Sequence, residues 1–318
     1  MKLLVSYSNP WGNWYVGEFY SRFHNLLCEK GHDVEFLSTE ELCKKHGGQF
    51  NYTATVPSVF NIYNLIVLNK KNDKTFLHSW HDYAPAIMDT NFESGITKLD
   101  VVKFACTSGL TQPVYERFKD KFKIQPSFYL LEHLTDHDLI ETNRSQSKDI
   151  KKAFFNGLNY GKRQILLEKF KQSKYFSIRV KSASTDFQQK DEYFKTLGQH
   201  KYALGLDGAA LICYRDLEAF GIGSLLLREK IQNLFYEPLI EGEHYFNIFD
   251  DYAYSVLYNN DNLLVEHIEK KIEQILSLGD GKLDNVISNA RGWFERNCLV
   301  DNQIKLMYSF LEDLSILE

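Results

Sequence analysis

The sequence predicts an α/β fold in which strands and helices alternate through two halves of the chain. Three observations predict it. Short apolar runs of strand length are separated by longer segments whose apolar residues recur at helical spacing. Breaker-rich turns such as Ser8-Asn9-Pro10-Trp11-Gly12-Asn13 and Thr107-Ser108-Gly109 punctuate them. The chain of 318 residues, with 44% apolar content, is long enough for two packed cores. Each half then reads as a Rossmann-like unit. Such units carry parallel sheets, with ligands at the carboxyl ends of the strands, and two of them would place a cleft between them.

In the first half, residues 2–7 form an apolar strand. Residues 15–30 follow as a helix with Phe19, Phe23, Leu26 and Leu27 on one face, and Gly31 ends it. Residues 33–37 are the next strand, and Thr39 caps a further helix. Strands are expected at 61–69, 75–78 and 101–106, then a helix at 113–122 and a last strand at 126–131. Residues 133–150 are polar and read as a connection with room for a short helix. The second half repeats the alternation: strands at 153–156, 175–180, 202–206 and 224–227, and helices at 162–172, 186–197 and 209–220. The tail is helical over 262–276, 283–297 and 303–317. The expected divisions are a domain of residues 1–132, a linker at 133–150, a domain of 151–300 and a closing helix at 301–318.

Bulk composition narrows the function classes. The formal charge is −5 with no dominant block of Lys and Arg, which argues against a protein that coats nucleic acid. Cys28, Cys43, Cys106, Cys213 and Cys298 are odd in number and form no CxxC pair, so neither a zinc site nor a disulfide framework is indicated. Reduced thiols are expected. No run has the length of a membrane span, and the first residues lack a signal-peptide core. The 23 Phe and 19 Tyr fit aromatic cores, with some left to wall a sugar or base pocket.

The densest chemical signal lies in residues 200–245. A helix starting at Gly208-Ala209-Ala210 would offer free backbone N–H groups to an anion. On that reading Arg215 sits two turns in, its side chain leaning back toward the helix start. A guanidinium aimed at a helix N-terminus suits a diphosphate, and the expected ligand is a nucleotide diphosphate carrying a sugar. Asn156, Gly157, Lys162 and Arg163 form a second phosphate candidate in a strand-to-helix loop. Cations at a helix start are disfavoured by the dipole, so either an anion lies between them and the helix or they are a solvated basic pair. Neither the P-loop pattern nor GxGxxG is matched. Arg179 ends a strand and faces either the cleft or solvent. His244 follows a turn and either meets a phosphate or ribose hydroxyl or stays a surface residue. In His78-Ser79-Trp80-His81-Asp82-Tyr83, Asp82 or His81 is either a general base for an acceptor hydroxyl or part of a hydrogen-bonded turn. A zinc reading of His78 and His81 lacks a third ligand. No Asp-x-Asp motif is placed to hold a metal against a nucleotide, so metal-independent chemistry is expected, and no cofactor beyond the donor.

The residues Lys201, Tyr202, Leu204, Asp207, Gly208, Tyr214 and Arg215, then Gly223, Ser224, Pro238, His244 and Tyr245, make a pattern. Together with Asn289-Ala290-Arg291 and Trp293 in the tail, it resembles the protein O-glucosyltransferases and capsule-associated xylosyltransferases. The resemblance covers the second half by motif and the first by architecture. It implies a GT-B fold: two facing Rossmann-like domains with parallel sheets, the nucleotide sugar on the C-terminal one, and a final helix crossing back. It implies a UDP-sugar donor, glucose or xylose, inversion without metal, and a glycan or glycoprotein acceptor. The family's donor-site Arg carries over to Arg215, and the small-residue turn before it to Gly208. Asn156 stands where the family often has Arg, and Arg163 is the substitute. The family's catalytic aspartate falls in the first half, where Asp82 is the candidate. Without the family's signal peptide and retention tail, a cytoplasmic bacterial or viral enzyme is expected. Two rivals remain: a glycosyltransferase acting on modified DNA bases, and a non-catalytic nucleotide-sugar binder.

Overall fold

The computed structural model describes residues 2–7, 17–37, 63–71, 75–79, 102–107, 111–119, 124, 134–159, 162–181, 190–207, 212–257 and 261–318. The chain divides into two units. One holds Met1–Glu132, Gln232–Glu237 and Leu299–Glu318; the other holds His133–Ile231 and Pro238–Cys298. None of the described helices is long and apolar enough to cross a membrane.

The first unit is a five-stranded sheet in the order β2-β1-β3-β4-β5. Its strands are β1 (Lys2–Tyr7), β2 (Asp33–Leu37), β3 (Tyr63–Asn69), β4 (Thr75–Ser79) and β5 (Val102–Thr107). Helix α1 (Gly17–Glu29) follows β1, and α2 (Gln112–Phe118) follows β5. Phe23 and Leu27, four apart on α1, are buried. The helix stops at Gly31, whose φ of 84° a glycine adopts without steric cost. His32 N–H then bonds Leu27 O at 3.0 Å and Gly31 N–H bonds Cys28 O at 2.9 Å, which satisfies the last carbonyls.

This sheet is mixed where a parallel one was expected. β1 and β2 are parallel, as are β4 and β5, but β3 runs antiparallel to both β1 and β4. The link from β3 to β4 spans only residues 70–74. A parallel crossover needs a dozen or more residues, so so short a link forces a hairpin. The C-terminal helix Val300–Asp313 belongs to this unit and buries Met307, Phe310 and Leu311. Phe310 meets Phe76 of β4 edge-on at 5.9 Å, and Asn69 donates to Ile316 O at 2.8 Å.

The second unit is a parallel five-stranded sheet in the order β10-β9-β8-β6-β7. The strands are β6 (Ile150–Leu158), β7 (Phe176–Lys181), β8 (His200–Gly205), β9 (Leu225–Glu229) and β10 (Phe246–Phe249). The helices are α3 (Leu134–Arg144), α4 (Lys162–Phe170), α5 (Lys190–Gln199), α6 (Tyr214–Ile222), α7 (Asp251–Val256), α8 (Asp261–Leu276) and α9 (Asp280–Cys298). The strands are apolar on both faces because helices cover both. Phe155, Leu204, Leu227 and Ile248 share one core with Leu167 of α4 and Ile268 of α8. Alternate residues Phe154, Ala203 and Leu226 are buried as well, on the opposite face. Phe220 of α6 and the fully buried Trp293 of α9 meet edge-on at 6.2 Å.

Two elements of this unit escape the sequence reading. β10 is four residues long, too short to show a period, and α7 follows it at once. Asp250 therefore adjoins a strand end, and it caps α7 by accepting from Ala253 N–H at 3.1 Å. Its other partners are His267 at 2.9 Å and Lys271 at 3.1 Å. Burial pushes the Asp250 carboxyl up, but the Ala253 amide, Lys271 and His267 outweigh it and lower its pKa to about 2. A carboxyl depressed in the folded state stabilises above its unfolded pKa, near 4, and that contribution is lost as pH falls through the folded value. Urea midpoints are thus expected to drop between about pH 4 and pH 2, and to drop less in Asp250→Asn.

Candidate functional site

The order of the second sheet reverses between β6 and β8. From β6 the chain steps outward to β7, then returns to β8 and proceeds to β9 and β10. In open α/β sheets, the carboxyl edge at such a reversal is where ligands bind. Here that edge carries Asn156 and Gly157 at the end of β6, Leu206 and Asp207 after β8, and the start of α6.

Helix α6 begins at Tyr214, not at residue 209 as the sequence reading has it. Cys213 is its N-cap, extended at φ −114° and ψ 157°. Asp216 fixes the start there, because its Oδ2 accepts the Cys213 N–H at 2.9 Å. Arg215 consequently stands in the first turn rather than two turns in. Gly208 and Ala209 lie outside the described residues, as do His81 and Asp82.

Three neighbours hold the Arg215 side chain. Its Cζ sits 4.2 Å from the centre of the Phe155 ring, in cation–π contact. Its Nε donates to Asn156 O at 3.0 Å. Its Nη2 occupies the space that a Cβ at Gly157 would fill. The position after Asn156 must therefore be glycine for this rotamer to exist. The remaining nitrogen, Nη1, is buried and has no hydrogen-bond partner among the described residues. A charged donor kept from water and given no acceptor is costly, and ordinarily something accepts from it.

Arg163, on α4, is buried and bound to the chain itself. Its Nε donates to Asp207 O at 2.9 Å, and its Nη2 to Leu206 O at 2.6 Å and toward Cys213 Sγ at 3.1 Å. Of the two readings left open for Lys162 and Arg163, the solvated pair does not hold for Arg163, which shapes the connection after β8. α4 begins at Lys162, next to it. Arg179 is half exposed and pairs with Glu192 at 3.3 Å, an ion pair in solvent. His244 is buried, and its Nδ1 accepts the Ile240 N–H at 3.0 Å, closing the turn before β10. Neither Arg179 nor His244 meets Arg215 in any described contact. Burial, with Asp216 next, raises the Cys213 thiol, so it stays protonated at neutral pH and is no nucleophile.

No protein-family model matches the sequence, and no curated protein matches it. Among solved structures, the chain is similar to the glycosyltransferase from Rickettsia africae at 12% identity and a TM-score of 0.52, covering 99% of this chain and 98% of that one. The fold is GT-B. Looser likenesses are to the lipopolysaccharide-biosynthesis glycosyltransferase WaaG and to the pneumococcal O-GlcNAc transferase GtfA in complex with UDP and GlcNAc. The first has 11% identity and a TM-score of 0.45, with 98% of each chain covered. The second has 12% identity and a TM-score of 0.42, with 71% of this chain and 48% of that one covered.

Within the second unit the sequence reading misses one group entirely. Arg228, in β9, is 0% exposed. Its Nη2 bonds Asp207 Oδ1 at 2.7 Å, its Nη1 bonds Asp216 Oδ2, and its Nε donates to Glu229 O at 2.7 Å. Burial would lower its pKa, but Asp216 and Asp207 outweigh burial and keep it charged. Glu229 continues the network, accepting from Asp207 N–H at 3.1 Å and from Tyr254 Oη at 2.6 Å. The signal was present in Leu225-Leu226-Leu227-Arg228-Glu229: two charges closing an apolar strand need buried partners.

Proposed function

We propose that this protein is a glycosyltransferase that takes a sugar, glucose or xylose, from a UDP-sugar. It transfers the sugar with inversion to a hydroxyl of a glycan or glycoprotein. The observation that carries the proposal is Arg215: a guanidinium at the carboxyl edge of the sheet, at the strand-order reversal, with a buried nitrogen that has no hydrogen-bond partner among the described residues. The GT-B fold supports it, and so does the motif resemblance around Arg215.

In this mechanism the diphosphate of the donor accepts from Arg215 Nη1. Phe155, Asn156 and Gly157 hold the guanidinium in place beforehand, so no reorganisation is needed when charge develops. The sequence pattern adds Gly208, Ala209 and Lys162 to the seat as candidates. Asp82 or His81 takes the proton of the acceptor hydroxyl, whose oxygen attacks the anomeric carbon. The carbon–oxygen bond to the diphosphate breaks, and UDP leaves carrying the charge that Arg215 stabilises.

A panel of nucleotide sugars in a thermal-shift assay tests the donor. A UDP-sugar is expected to raise the melting temperature, because a ligand that binds only the folded chain stabilises it. Transfer or slow donor hydrolysis is then measured in EDTA. Full activity is expected; complete loss, restored by manganese, would contradict the metal-free reading. A melting point moved by no nucleotide would contradict the donor site itself.

A further inference from the structure

The connection between β8 and α6, residues 206–213, is pinned at both ends by one side chain. At its start, Asp207 Oδ1 bonds Arg228 Nη2 at 2.7 Å. At its end, Cys213 N–H bonds Asp216 Oδ2 at 2.9 Å, and that same oxygen is held by Arg228 Nη1. Gly205 permits this closeness: a Cβ there would stand 2.8 Å from Arg228 Cβ and would overlap Asp216 Oδ1. The carboxylate of Glu229 adds a second hold on the Asp207 amide, and Tyr254 fixes Glu229. Arg163 ties the same stretch from the α4 side through Leu206 O and Asp207 O.

Electrostatics give the arrangement a second consequence. Asp207 and Asp216 are carboxylates beside a seat meant for an anion. Unpaired, they would repel a diphosphate. Paired to a fully buried guanidinium, their charge is largely neutralised where it would do most harm. Arg228 touches no surface from which it could reach a ligand.

We propose that Arg228 is a positioning residue for the diphosphate seat. It staples both ends of the 206–213 connection and thereby sets Arg215 in the first turn of α6. It also neutralises Asp207 and Asp216, the carboxylates at the two ends of that connection. The donor role of the site rests on the function proposed above; the staple itself does not.

The test uses Arg228→Lys in the full chain, with two readouts. An ammonium keeps the charge but, as a compact point charge, cannot fork between two carboxylates as a guanidinium does. Amide hydrogen exchange without ligand reads the staple. Exchange at Asp207 and at residues 212–216 is expected to rise about tenfold, with the β6 and β7 amides unchanged. UDP titration reads the seat, and affinity is expected to fall about tenfold at a temperature where the variant is fully folded. Unchanged exchange would overturn the staple whatever UDP does. Faster exchange with UDP affinity within about twofold of the parent would overturn the positioning role. Faster exchange in the variant, with the parent itself binding no UDP, would leave the staple standing and overturn the donor reading instead. Should the Lys variant not fold, Asp207→Asn frees one end while Arg228 keeps Asp216, and the same outcomes apply.

Discussion

Arg215→Ala is expected to lower sugar transfer at saturating donor by about 10²–10³-fold, the loss typical when one preorganised donor to a developing charge is removed. The argument is geometric. Among the described residues, Arg215 meets one ring face and one carbonyl, and its Nη2 fills the space above Gly157. The buried Nη1 has no partner among the described residues, so the stability lost in the Ala variant is that of the Phe155 and Asn156 contacts. The substitution costs the leaving diphosphate its charge-assisted hydrogen bond. A lysine restores the charge but neither the stack on Phe155 nor the bond to Asn156, so Arg215→Lys is expected to recover only part of the rate. Steady-state kinetics with the donor identified by thermal shift, alongside circular dichroism, would check this. Near-parent turnover in a folded Ala variant would remove Arg215 from the mechanism.

The largest effect on stability is expected from Asp216→Ala. Breaking a buried ion pair by removing one partner costs about 3–5 kcal/mol. Here the fully enclosed Arg228 keeps Asp207, but its Nη1 loses its carboxylate, and the loss also frees the Cys213 N–H at the start of α6. Urea denaturation monitored by tryptophan fluorescence is suited to the measurement, because Trp293 is buried against Phe220 of the same helix. Replacing Arg228, Asp207 and Asp216 together by apolar residues of similar volume is expected to recover most of that stability. It is not expected to recover UDP binding. The contrast separates the stability of the cluster from its use.

The alternation of strands and helices was legible because apolar runs of two different periods lie side by side in this chain. The end of α1 was legible at Gly31, where a local backbone requirement selects the residue. Arg215 was legible as a residue but not in its placement. Its helix starts five residues later than the small residues suggest, because Asp216 and the distant Arg228 decide where the first turn forms. No local pattern reports a tertiary contact of that kind. The antiparallel β3 is different: the short link at 70–74 excluded a crossover and was readable without a structure. The side chain of Arg163 was beyond reach, since spacing fixes a helix start but not where a long guanidinium ends up. Asp82 and His81 fall outside the described residues, so the proton acceptor rests on the sequence pattern and on the family resemblance.

The most direct test of the account is a crystal of this protein soaked with UDP. The account predicts diphosphate density within hydrogen-bonding distance of Arg215 Nη1, with the guanidinium still stacked on Phe155. UDP bound elsewhere on the sheet edge, or Nη1 engaged by another part of the chain while UDP is present, would contradict it.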